Sequence, residues 1–553
     1  MARRKELNRL LAALVGVVAA LGIALVPTIP KGSHAPSPPV DWNAAKDDPK
    51  EKIALSWRGN IAFPSAKPGT WVQRRIEERF NVALKPIFLD EGAYKNRLPL
   101  MLAGGNVPDV NWDGDPLQLR RNIREGYVTA IPYEVIRRYA PTYVRNLDRI
   151  GKEAWLYSRF EGENYGIPTF SANGVFSFPG VWRMDWLREA GIAKVPETLD
   201  EMHDAFVKFR ARPGGTSYGM CPATDWPVAF VDVFVAFGIL PQDFIVRDGK
   251  VVWGGIQPEA KQALALLCKW YAEGLIDPDF STASSVSSSE GNPLERKFRN
   301  GTTGYYYAWA GFGDFDAKDP NSRVSTMRQA LGPSVDLQPG KPLIGLNGKR
   351  RARVWGGAAH VLWFGPDAAR HPEKIVRVLR MLETFAKDRE AFLESRVGKR
   401  GEHWDGSPQR GIYLLPPYDE SGVGKRNLLD TGIEGAFGFF SPSSLPLEDT
   451  KSLLPTGADH FRATYADPSW GFENAIGKSD VAPSAGRLLE DLRQFQTTTY
   501  VRIIRGDQPL SDFDAFTKEW LARGGQTLTD EANVAKEDAQ KVYAAVGATG
   551  AGP

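Results

Sequence analysis

With 553 residues the chain exceeds one ordinary core and has room for about two to four domains. Apolar residues make 42% and charged residues 24%, with no long block of like charge, which excludes wholesale disorder. The net charge is +3, but residues 1–35 carry five Lys/Arg against one acid, leaving 64 basic and 65 acidic residues elsewhere. A nucleic-acid protein concentrates positive charge on its folded part, so no nucleic-acid partner is expected.

The basic cluster Arg3, Arg4, Lys5 and Arg9 precedes an unbroken apolar run over residues 10–26, followed by Pro27 and Pro30. Residues 1–35 therefore read as a signal peptide or signal-anchor that places everything after them outside the cytoplasm. Ser33-His34-Ala35 has the form of a cleavage site, and no Cys follows the run for lipid attachment. Cleavage and retention as an anchor both stay open. Residues 36–50, with Pro36, Pro38, Pro39, Lys46, Asp47 and Asp48, read as a solvated tether.

From residue 52 to 57 the pattern is a first strand, and 82–89 is a second. Between them Thr70 and Gln73 fit a capping box, with Val72, Ile76 and Phe80 on one helix face and Asn81 as the stop. This β-α-β grammar implies a parallel sheet. A short helix over 94–102, a break at Gly104-Gly105 and a strand into Asn111-Trp112-Asp113 follow. An extended stretch covers 175–178 and a helix start 182–187. Thr198 with Glu201 marks a second capped helix, and Pro258 opens a third that Gly274 ends. Residues 281–289 form a serine-rich loop, 301–309 a buried strand breaking into a loop, and 358–364 another strand before a helix at 371–385. Ser511 caps a helix stopped by Gly524-Gly525, a helix of 530–545 follows, and 547–553 is a tail. No tandem repeat points to a solenoid or propeller.

Cys221 and Cys268 either close a 46-residue loop as a disulfide or remain two buried thiols. Neither CxxC nor HExxH occurs and the six His are scattered, so neither a metal site nor a cofactor is expected.

Several segments, in order, resemble the extracellular solute-binding proteins of bacterial ABC importers, in the family 1, oligosaccharide-type, lipoprotein-like branch. They are Met101-Leu-Ala-Gly-Gly-Asn-Val-Pro-Asp109-Val, Tyr165-Gly-Ile-Pro168, Trp182-Arg183-Met-Asp185-Trp186 through Gly191, and Val195-Pro196-Glu-Thr198-Leu-Asp-Glu201. Tyr271-Ala-Glu-Gly-Leu-Ile-Asp277-Pro-Asp-Phe280, Gly401-Glu402-His403-Trp404, and Trp520 through Asn533 complete the series. The resemblance implies an α/β, two-lobe periplasmic-binding-protein-like fold of type II, with parallel-type sheets flanked by helices and a ligand held between lobes. It implies chain crossings just after Pro168, near 305–308 and near 358–364. Lobe 1 would then hold 51–170 and 305–360, and lobe 2 would hold 171–304 and 361–546. It also implies an oligosaccharide ligand, permease subunits in the membrane as partners, and action as a monomer. Some relatives carry a calcium loop where this chain has Arg212-Pro-Gly-Gly-Thr-Ser217, which lacks a carboxylate, so no calcium is expected there.

A sugar site combines aromatic platforms with polar groups that bond the hydroxyls. Trp71, Trp186, Trp270 and Trp520 sit on apolar helix stripes and read as core. Trp57, Trp112, Trp226, Trp309 and Trp355 sit at strand ends or beside Gly, Pro or Asp, and are the candidate cleft rings. Asp113 and Asp225 adjoin two of them as candidate hydroxyl acceptors, and Arg183, just after the first crossing, either reaches the cleft or pairs with a lobe carboxylate. Glu402 and His403 follow a Gly and either reach the cleft or form a solvated loop, the loop being the preferred reading. Alternative readings are an exported sugar sensor or surface-binding protein of the same fold and a glycoside hydrolase, which needs two carboxylates flanking a glycosidic bond. No nucleophile elbow, phosphate-binding loop or metal signature appears, so no catalytic residue is assigned.

Overall fold

Thr70 accepts a hydrogen bond from Gln73 N and starts the helix Trp71–Phe80, which ends at Asn81 in the left-handed region (φ 48°). Val72 and Ile76 are buried, so one stripe of this helix faces the sheet that its neighbouring strands build. The computed structural model describes residues 40–546, apart from 43–44, 60–66, 90, 215–216, 222–228, 282–292, 308–309, 420–430 and 434–438. The signal segment and the tail lie outside the described residues. Among the described residues no helix is long and apolar enough to cross a membrane.

The first sheet has five strands in the order Val82–Pro86, Ile53–Arg58, Val110–Asp113, Ala358–Phe364, Ile167–Phe170. Ile53–Arg58 is parallel to both its neighbours, as the β-α-β pattern predicts. Ala358–Phe364 runs antiparallel to both of its own, so the sheet is mixed. That strand enters from the other sheet, and no crossover helix on the same face obliges it to run parallel. The helices Pro141–Ile150, Glu373–Lys387 and Arg389–Val397 pack with this lobe.

The second sheet has four strands in the order Leu337–Gly340, Gly180–Arg183, Thr303–Tyr307, Tyr218–Met220. Thr303–Tyr307 pairs antiparallel with Gly180–Arg183 and parallel with Tyr218–Met220, and the Tyr305 ring lies 4.6 Å from that of Trp182. Leu199–Arg210, capped by Thr198, packs on Tyr218–Met220, and Pro258–Ala272 packs along Ala485–Arg505.

These pairings correct the expected lobe boundaries. Residues 303–307 and 337–340 belong to the second sheet, whereas 358–364 and the helices after it, through 397, belong with the first. Between the sheets the chain passes over 171–179 and returns over 341–357; where a crossing is expected near 305–308, Tyr305–Tyr307 pair within the second sheet and Ala308 lies outside the described residues. A third passage includes Gly471–Phe472, which pairs in parallel with Ala352–Arg353 between the sheets. The long helix Gln526–Val546 touches both lobes: Asn533 bonds the backbone of Val251, while Tyr543 lies under the Lys152 amine at 5.3 Å. As expected, the helix ahead of it stops at Gly524-Gly525: Gly524 (φ 115°) is non-helical and kinks the chain between Phe513–Trp520 and Gln526–Val546. Ser511 lies in a 3-10 turn, Leu510–Asp512, ahead of that helix pair. Both cysteines are free, Cys221 buried and Cys268 half-buried.

The tether is shorter than expected, because Asp47 is buried. Arg377 Nε donates to both Asp47 oxygens at 2.9 and 3.0 Å. Its Nη1 reaches the carbonyls of Phe80 and Asn81, and its Nη2 those of Asp48 and Glu51. One guanidinium, 2% exposed, thus joins the first ordered segment, the end of Trp71–Phe80 and the helix Glu373–Lys387. Arg377→Ala leaves the buried Asp47 carboxylate with Arg380 alone, at 3.2 Å, and takes a donor from four carbonyls, of which those of Asp48 and Asn81 keep a backbone N–H. Equilibrium urea unfolding should show a loss of about 3–5 kcal/mol.

Candidate ligand-binding site

In open α/β sheets ligands gather outside the carboxyl ends of strands, and at the first sheet those ends are largely occupied by protein contacts. Trp57 is 1% exposed; its Nε1 donates to Phe439 O at 3.0 Å and its ring meets Phe440 edge-on. Asp113 is buried and accepts from Arg58 Nη2 at 3.3 Å and Trp363 Nε1 at 3.1 Å. Trp112 is buried against the His360 ring at 3.9 Å, and its Nε1 has no hydrogen-bond partner among the described residues. Of these three, Trp112 alone keeps a donor unengaged.

Arg183 is internal to the second lobe. It holds Asp185 in a fork, Nε–Oδ1 2.9 Å and Nη2–Oδ2 2.6 Å, and lies over the Trp186 ring at 4.9 Å. Trp355 is different: 44% exposed, it stands in the returning passage between Arg353 and Gly356, with the Arg353 guanidinium 4.0 Å from its ring. Asp225, Trp226 and Trp309 lie outside the described residues. His403 is buried between Trp71 and Tyr418 while Glu402 is exposed beside Lys399, so only the glutamate matches the solvated loop. Among the described residues the candidates do not form one cluster, and Trp355 is the candidate ring exposed where the lobes meet.

Several groups at that junction went unnoticed in the sequence. Lys478, from the third passage, donates to Gly114 O at 2.5 Å and Ala359 O at 2.9 Å and so clamps that passage to the first sheet. Burial pushes its pKa down to about 8. His360 is held neutral, its pKa pushed down to about 3 by burial and by the Lys478 charge. Glu473, which follows Gly471–Phe472, is pushed up to about 7 by burial and by Glu153. On the second lobe, a cavity opens beside the returning passage, walled by Tyr305, Tyr307, Asp232, Lys341, Arg351 and Arg353 among others. There Tyr305 Oη donates to Asp232 Oδ2 at 2.6 Å, and burial raises the Asp232 pKa. No motif spacing marks these residues; they converge only through pairing of strands far apart in sequence. Among the described residues no group of three His, Cys, Asp or Glu is placed to hold a metal ion.

The model of the bacterial extracellular solute-binding proteins matches residues 64–374, more than half the chain, and the chain belongs to that family. The polygalacturonan/rhamnogalacturonan-binding protein YtcQ of Bacillus subtilis is 22% identical over 498 residues, 88% of this chain and 92% of that one. Among solved structures, the alginate-binding protein AlgQ2 without calcium ion has a TM-score of 0.62 at 17% identity, covering 89% of this chain and 99% of that one. The S. pneumoniae ABC-transporter substrate-binding protein FusA in complex with kestose gives 0.60 at 14%, covering 89% and 100%. At such identities the likeness concerns the fold, which is the two-lobed type II binding-protein architecture.

His360 supplies a test of the junction's electrostatics. A histidine whose folded pKa lies below its unfolded value of 6.5 stabilises the fold above pH 6.5, and that contribution is lost as pH falls towards 3. Taken alone it removes about 2 kcal/mol between pH 7 and pH 5. His360→Gln should reduce the pH dependence of unfolding over this interval by about that amount, measured by urea titration at both pH values. An unchanged dependence would mean that His360 protonates as readily in the folded chain as in the unfolded one.

Proposed function

We propose that the chain captures an oligosaccharide between its two lobes, outside the cytoplasm, and delivers it to the permease of an ABC importer. The observation that carries this reading is the family match over residues 64–374 on a fold of two sheets joined by three passages. Trp355 at that junction supplies an aromatic face for a sugar ring. The relatives' named ligands run from polygalacturonan and alginate to kestose, which supports a saccharide and leaves its identity to this chain's own side chains.

In this reading Trp355 is a platform, and Trp226 and Trp309 extend it. Trp309 follows the cavity residue Tyr307 by two positions, and Asp225-Trp226 follows the strand Tyr218–Met220. Trp112 offers its unengaged Nε1. The protein binds without transforming its ligand, uses no cofactor and acts as a monomer, with residues 1–35 directing export and, if uncleaved, holding it at the membrane. Trp57, Asp113 and Arg183 support the lobes from within.

Thermal melting of the protein against neutral and acidic oligosaccharides, with each sugar recovered afterwards, tests this. A ligand at a hundred times its dissociation constant adds about 2.7 kcal/mol of stability. The expected result is a raised Tm with the sugar intact; cleaved sugar favours the hydrolase, and no shift across the panel removes the saccharide reading. Trp355→Ala should weaken binding of the active sugar by about 1–3 kcal/mol in titration calorimetry while leaving the Tm of the unliganded protein nearly unchanged.

A further inference from the structure

The cavity beside the returning passage carries more positive charge than its own fold uses. Three cations stand in its wall, Lys341, Arg351 and Arg353. Arg353 is paired with Asp243, Nε to Oδ2 at 3.4 Å. Lys341 forms no ion pair among the described residues, and Arg351 has only the Phe472 ring, 5.1 Å from its guanidinium. The acid in the wall, Asp232, is occupied by Tyr305 Oη and by Val233 N at 3.0 Å. Two cationic side chains thus stand beside a cavity with no carboxylate paired to them among the described residues.

The size of the cavity narrows what they could meet. It encloses about 30 Å³, space for roughly two waters, which matches the three heavy atoms of a carboxylate and is too little for a pyranose ring. The rest of its wall is largely apolar, with the rings of Phe178, Trp182, Tyr305 and Tyr307 beside Val231, Val235 and Leu343. Arg353 belongs both to this cavity and to the exposed Trp355, whose ring lies 4.0 Å from its guanidinium. A sugar ring resting on Trp355 would stand next to the opening.

We propose that this cavity receives the carboxylate of an acidic sugar unit, with Lys341 and Arg351 as its counter-ions and Trp355 beneath the adjoining ring. The inference rests on the saccharide-binding reading and gives it a substrate class: oligosaccharides that contain uronic acid. Arg351 bonds the carboxylate through its guanidinium, Lys341 contributes a point charge, and Asp232 is kept from repelling the ligand by its bond to Tyr305. A neutral sugar of the same shape would leave the two cations unmatched and bind less tightly.

The test compares tetragalacturonic acid with its methyl ester, by titration calorimetry on the full chain and on the double variant Lys341→Gln, Arg351→Gln. Both side chains are exposed and without ion pairs among the described residues, so the variant is expected to keep the wild-type Tm. The proposal expects the acid to bind the wild type at least tenfold tighter than the ester, with that preference falling as salt rises. In the double variant the preference should vanish while affinity for the ester stays the same. Equal affinities in the wild type, or a preference that survives in the variant, would overturn it. Binding of neutral oligosaccharides alone overturns this inference and leaves saccharide capture standing, whereas binding of none removes both.

Discussion

Between the two sheets the chain runs past itself at backbone contact. A Cβ on Gly174 would collide with the carbonyl of Gly356, and one on Gly357 with the carbonyl of Ile150. Gly151 meets Gly357 in the same way. The outgoing and returning passages therefore meet backbone to backbone at Gly174 and Gly356, where Gly356 N donates to Gly174 O, and Gly357 rests on the end of the helix Pro141–Ile150. The third passage joins them through Gly471–Phe472 and is fixed to the first sheet by the Lys478 amine on two carbonyl oxygens. The two lobes thus share one junction, across which the buried apolar cluster is continuous and the helix Gln526–Val546 lies on both.

Each lobe carries its own buried network. In the first, Arg58, Asp113 and Trp363 form a buried network at the strand ends, and Arg377 ties the start of the ordered chain to the Glu373–Lys387 helix. In the second, Trp182, Phe206 and Tyr305 pack as rings under the sheet. A charge paired inside a lobe is spent on stability, so the groups we propose for a ligand are the two cations without an ion pair among the described residues, Lys341 and Arg351, beside the half-exposed Trp355. That division explains why the chain can carry so many rings and so many acids while exposing few of them where its sheets meet.

Features set by neighbouring residues were legible from the sequence. The caps at Thr70 and Thr198 and the Pro258 start lie where hydroxyl chemistry and a fixed φ put them. The family resemblance gave the type II fold. Features set by distant pairing were not legible. Trp57 reads as a cleft ring because it ends a strand, yet Phe439 and Phe440, some 380 residues later, cover it. Thr303–Tyr307 looks like a crossing until its pairing with Gly180–Arg183 is known. Arg183 is a partial exception, since Asp185 is two residues away and a local ion pair was available to the eye. Lys478 and the cavity cations have no sequence signature, because their positions follow from passages that meet only in the folded chain.

Small-angle scattering of the protein alone and with a saturating oligosaccharide most directly tests the central claim, that a ligand is held between lobes which share one junction. If the lobes close on the sugar, the radius of gyration falls on binding, and tryptophan emission shifts over the same concentration range. Tight binding with no change in either would place the ligand on one lobe alone and contradict the account.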